Sequence, residues 1–144
     1  TNCDRFYIHG ELGQPLEVDS ITLNGQSCFL VLVTVKGDVT VTNAERFDIQ
    51  NSHVGGKIRV IASGDVGING TNAPSIIVRG NESVVLRAIV ADNDIRVIRN
   101  VEALVHLNAA PTIHCRENIR LVANENFSSN GNNCEGLDRF TPAD

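Results

Sequence analysis

One phrase is rewritten along this chain every 18 or 19 residues. It reads IRVIAS at 58–63, IIVRGN at 76–81, IRVIRN at 95–100 and IHCREN at 113–118. A fixed period of this size, carried by short segments with apolar residues at every second position, is the signature of a solenoid. Each copy is one strand thick and cannot bury its own apolar row. Stacking copies at the strand spacing of about 4.8 Å sets Ile on Ile and Val on Val and pairs the backbone between layers.

Aligning the copies gives columns. Asp38, Ile58, Ile76, Ile95 and Ile113 form one, and Thr40, Val60, Val78, Val97 and Cys115 the next. A polar column follows at Asn43, Ser63, Asn81, Asn100 and Asn118, the position of a turn. Asn tolerates a left-handed backbone, and stacked amides can bond up and down the pile. A second strand then carries Phe47, Val66, Val84, Ala103 and Leu121, with Ile49, Ile68, Leu86, Val105 and Ala123 in its second inward column. Small residues close each repeat at Val54, Ala73, Ala91 and Ala110. No 3.6-residue pattern persists, so the fold class expected is an all-β, single-domain parallel β-helix of about six coils.

Two apolar strands meeting at an Asn-bearing turn (Ile76, Val78 and Asn81; Ile95, Val97 and Asn100; Ile113, Cys115 and Asn118) resemble the right-handed parallel β-helix of the pectate-lyase-like superfamily. The likeness covers roughly residues 20–125 and is one of architecture; no catalytic motif of that superfamily is matched. Coils this short also leave a left-handed or two-sided solenoid open.

The 144 residues make one domain: a cap over 1–19, coils over 20–125 and a second cap over 126–144. Caps are needed because an open coil exposes unpaired strand edges. Four cysteines lie near the ends without a C-x-x-C spacing, which argues for disulfides over zinc. The pairings expected are Cys3–Cys28 and Cys115–Cys134, each tying a cap to a coil and adding roughly 3 kcal/mol in the chain-entropy account. Such bridges point to an oxidising, extracellular setting. A start at Thr1 with no leader agrees with a removed secretory signal. Sequons stand at Asn69, Asn81 and Asn126, but with so many Asn, Ser and Thr chance alone supplies about two.

The formal net charge of −5 disfavours nucleic acid as a partner. No apolar run approaches the roughly 20 residues of a membrane span. Function is therefore sought on the outward positions of the first strand. These read Val39 and Val41, Arg59 and Ile61, Ile77 and Arg79, Arg96 and Ile98, His114 and Arg116. Arg and Ile exchange columns from layer to layer, and the exchange separates charges that would otherwise stack. Arg59, Arg79, Arg96 and Arg116 with Ile61, Ile77 and Ile98 are the expected binding residues. Arg forks onto carboxylate or sulfate, so the partner expected is an acidic polysaccharide, or else a protein or a second copy of the chain. The neighbouring acids Asp94, Glu102 and Glu117 could instead make this face a merely solvated one.

Chemistry is harder to place. A lyase would need stacked acids for Ca²⁺ and a base, and the candidates are Asp92 and Asp94 with Arg87 or Arg96, or Asp38 with Lys36. Neither acid pair recurs in a neighbouring layer, since Asp48 is followed by Gly67, Val85 and Leu104. His9, His53, His106 and His114 lack metal-ligand spacing. A secreted, non-catalytic binding module without metal or cofactor is therefore expected, with a compact polysaccharide lyase as the alternative. An ice-binding solenoid comes third, because only Thr40 and Thr42 cluster and the Thr40 column is read as inward.

Overall fold

The computed structural model describes residues 7–9, 14, 16–132, 134 and 139–140. They form a parallel β-solenoid of about six coils. Each full coil makes three β segments and two sharp corners. The first segments are Ile21–Asn24, Val39–Thr42, Ile58–Ile61, the second halves of Asn72–Arg79 and Val90–Ile98, and Thr112–Arg116. The second segments run from Tyr7–His9 and Cys28–Val31 through Arg46–Gln50, Asp65–Asn69, Ser83–Arg87 and Glu102–His106 to Arg120–Asn124. All pair in parallel and in register until Arg139–Phe140, which runs antiparallel to Arg120–Asn124.

The short run of small residues after the second strand is itself a β segment. Leu16–Val18, Val33–Val35, His53–Val54 and the starts of Asn72–Arg79 and Val90–Ile98 stack on one another. In these last two strands the third segment flows into the next coil's first segment, with an irregularity between Ala73 and Ser75. Of the segment 1–19, Tyr7–His9 and Leu16–Val18 add parallel rungs below Cys28–Val31 and Val33–Val35.

Like residues lie over like. Ile58, Ile76, Ile95 and Ile113 are consecutive partners and are almost fully buried. Phe47, Val66, Val84, Ala103 and Leu121 form the matching inward column of the second segments. The earliest coil departs from expectation by one residue. Val39, not Asp38, stacks under Ile58; Val41, not Thr40, stacks under Val60. Both valines are 0% exposed, while Thr40 and Thr42 point outward. The shift avoids burying a carboxylate, and Asp38 Oδ1 accepts the Lys57 backbone N–H at 2.8 Å instead.

The same shift replaces Asn43 by Ala44 in the polar column. At the first corner the left-handed residue is the one before the ladder: Asn43, Ala62, Gly80, Arg99 and Glu117 all have φ between 54° and 68°. The ladder Asn faces inward and bonds. The backbone N–H groups of Ser63, Asn81 and Asn100 donate to Oδ1 of Asn81, Asn100 and Asn118 at 2.8–3.0 Å. Each amide in turn donates back to the carbonyl of Val60, Val78 or Val97. The Asn is thus selected as a buried bonding group, and the adjacent position takes the turn.

A second corner repeats the design. Asn51, Gly70, Ala88, Leu107 and Glu125 take the left-handed backbone, and Ser52, Thr71, Ile89, Asn108 and Asn126 follow them. Ile89 and Asn108 donate their N–H groups to Oδ1 of Asn108 and Asn126, both at 3.0 Å.

Cys115 and Cys134 form a disulfide with Cα atoms 5.2 Å apart, closing the last coil. Cys28 is buried; its expected partner Cys3 lies outside the described residues.

Candidate binding face

Because the core claims every second residue of the first segments, the residues between them must face outward, and the register fixes their neighbours. One outward column runs Thr22, Thr40, Arg59, Ile77, Arg96, His114. The adjacent column runs Asn24, Thr42, Ile61, Arg79, Ile98, Arg116. All seven expected binding residues therefore share one face. Val39 and Val41, expected to point outward, belong to the core, and Thr40 and Thr42 take the outward places.

The four arginines are exposed and the three isoleucines half-buried. Within a column, Arg59 and Arg96 stand two rungs apart, about 9–10 Å. At that distance two charges in water repel by about 0.4 kcal/mol, half the cost of adjacent rungs. Between them lies an isoleucine along which the guanidinium stems can rest. The face is cationic and apolar by alternation.

Its acids are mostly engaged elsewhere. Asp94 Oδ2 accepts Arg96 Nε at 2.7 Å, so one arginine is neutralised on its own strand. Glu102 pairs with Arg120 at 2.8 Å on the second sheet. Glu117 pairs at the corner with Arg99 at 2.5 Å. The Arg99 bond and charge hold the Glu117 carboxyl below the usual range, and the carboxylate raises Arg99 in return. Among the described residues Arg59, Arg79 and Arg116 make no ion pair within 4 Å.

The other candidates are dispersed. Asp92 is exposed on the run between the third and first segments, and Asp94 is committed to Arg96. Asp48 sits in register with Gly67 and Phe29. His106 contacts Asn124 and lies 3.8 Å from Glu125, His53 is exposed on the third segment, and His114 continues the arginine column. Among the described residues no three His, Cys, Asp or Glu side chains converge. Of the sequon residues, Asn81 is 1% exposed and spends its amide on the ladder; Asn126 is bonded likewise at the second corner, and Asn69 is exposed.

The second ladder went unread in the sequence although a signal existed. Its members stand three residues after Ile49, Ile68, Leu86, Val105 and Ala123, the same offset that places Ser63, Asn81, Asn100 and Asn118 after their own inward column. The mixture of Ser, Thr, Ile and Asn hid it.

No protein-family model, no curated protein and no solved structure matches the chain.

Proposed function

We propose that the protein is an extracellular, non-catalytic binding module that takes up a linear acidic polysaccharide along the Arg/Ile face. One observation carries this reading: Arg59, Arg79, Arg96 and Arg116 form a regular exposed lattice, with Ile61, Ile77 and Ile98 between them. A straight polymer laid along the solenoid axis meets a guanidinium on every rung from Arg59 to Arg116, alternating sides, with Arg96 alone of the four paired to an acid within 4 Å among the described residues. Each guanidinium can fork onto a carboxylate or sulfate, while the isoleucines offer apolar surface to the sugar C–H groups. Steering by such a stripe operates locally despite the net charge of −5. The Cys115–Cys134 bridge supports an oxidising compartment. The strand, Asn corner and strand order supports placing the coil with the pectate-lyase-like β-helices, and no catalytic role is taken from that likeness.

Retention on heparin and polygalacturonate columns tests the proposal. Arg79→Glu and Arg96→Glu together should bring elution to clearly lower salt. Unchanged retention, or no retention of the parent protein, contradicts it. A size-exclusion mass above 15.6 kDa that falls in the same variant would assign the face to self-association instead.

A specific observation also favours a second reading. With Thr40 outward, Thr22, Thr40, Thr42 and Asn24 form a flat hydroxyl and amide array at the N-terminal end of the same two columns. An ice-binding solenoid calls for an array of outward threonines, and three of these four residues are threonine. Thermal hysteresis lost in Thr40→Arg would support it, and none in the parent protein would end it.

A further inference from the structure

The opposite sheet carries a depression that the Arg/Ile reading does not use. Its outward central column runs Phe29, Asp48, Gly67, Val85, Leu104, Val122. Where every other rung has a side chain, Gly67 has none; the Asp48 carboxylate leans over it, and a cleft of about 430 Å³ lined by both opens beside them. Asp48 bounds one end and Val85 the other, two rungs or about 9–10 Å apart. Gln50 and Asn69 line one flank; Arg46, Asp65 and Ser83 line the other.

The walls are ordered by contacts that do not consume them. The Arg46 guanidinium stands 5.2 Å from the centroid of the Phe29 ring, an attraction that holds it at the end of the cleft. Gln50 Nε2 donates to Asp48 Oδ1 at 3.3 Å. The Asp48 carboxylate lies over Gly67, with its oxygens 3.0 and 3.1 Å from where a Cβ would stand. Any side chain at 67 would therefore press on the carboxylate and fill the space.

We propose that this cleft is a second binding site, for an uncharged pyranose unit of a carbohydrate. The volume lies within the range of small-molecule sites and suits one sugar ring. The carboxylates of Asp48 and Asp65 and the amides of Gln50 and Asn69 are concentrated acceptors for vicinal hydroxyls, with Arg46 as a donor. Val85, 38% exposed, offers an apolar wall to the ring's C–H face. Around the first corner, Glu45 and Glu82 line a depression that shares Asp65 with this one. That local excess of carboxylate repels uronates and sulfated sugars, so the two faces select opposite kinds of chain. The site does not depend on the Arg/Ile proposal.

Amide chemical shifts of the intact protein, titrated with neutral β-glucan, mannan and galactan tetrasaccharides and with tetragalacturonate, test the inference. At least one neutral tetrasaccharide should shift the Gly67, Asn69 and Ser83 amides saturably, and tetragalacturonate should leave them still. Gly67→Val should weaken that binding about tenfold or more while amides of the other rungs keep their parent shifts, and Arg96→Glu should leave it intact. Asp48→Ala serves as the second variant should Val at 67 disturb folding. No saturable shift with any neutral probe, or parent-like affinity in both cleft variants, overturns the proposal.

Discussion

The two corners of the coil perform one task with different materials. At the first, Asn81, Asn100 and Asn118 form an unbroken file in which each side-chain oxygen accepts a backbone N–H from the preceding rung and, for Asn100 and Asn118, an amide as well. At the second, Ile89 interrupts the file, and Asn108 Oδ1 accepts a backbone N–H alone from that rung. Both corners satisfy the left-handed turn, and among the described residues no fully buried side-chain N or O lacks a partner. The difference shows that the ladder exists to satisfy the backbone, and that the amide-to-amide bond is an addition to it. The coil nevertheless admits Ile89, which offers no acceptor, at one rung of the second corner.

The sharpest way to break the comparison is Asn100→Ala. It leaves the buried Asn81 N–H without its acceptor, at about 1–3 kcal/mol, and removes the amide bond to the Val78 carbonyl together with two amide-to-amide bonds. A loss of about 4 kcal/mol in urea unfolding is expected. Asn108→Ala removes the same kinds of backbone bond, to Ile89 and Leu86, but only one amide ladder bond, to Asn126. It should cost about 1 kcal/mol less than the first variant. Equal losses would mean that the amide file contributes nothing.

Extending the file should do the reverse. Ser63 accepts the Ala44 N–H at 3.1 Å and bonds back only to Ile61. Ser63→Asn continues the ladder by one rung and should raise stability by about 1 kcal/mol.

The smallest effect belongs to the exposed pair beside the first corner. Glu117 has a lowered folded-state pKa, so its contribution is present above the unfolded value near 4.3 and fades as pH falls through the folded one. Glu117→Gln should flatten that acid limb, and moderate salt should do the same to the parent protein. Both are read as melting temperature against pH.

What was legible follows from side-chain chemistry. From Ile58 onward, Ile and Val alternate with Arg, so the inward and outward sets separate unambiguously, and the seven residues of the Arg/Ile face follow. Before Ile58 the stretch DVTVT offers two registers. Alignment on a 20-residue interval put Asp38 and Thr40 inside; the true interval is 19, from Val39 to Ile58. The third segment is too short at His53–Val54 to show alternation, so it read as a corner. The column Asp48, Gly67, Val85, Leu104 was legible, but as a test for stacked acids; that a residue without a side chain leaves a cleft there takes the three-dimensional neighbours Arg46, Gln50 and Asn69 to see.

The whole account stands on columnar stacking, and isoleucine methyl groups report it directly. In protein labelled only at Ile δ1 methyls, nuclear Overhauser cross-peaks should link Ile58 to Ile76, Ile76 to Ile95 and Ile95 to Ile113. None should join Ile58 to Ile95 or Ile76 to Ile113, which stand two rungs apart at about 9–10 Å. A chain of nearest-neighbour peaks in that order is the result expected. Missing sequential peaks, or strong peaks between alternate members, would contradict the solenoid and every surface derived from it.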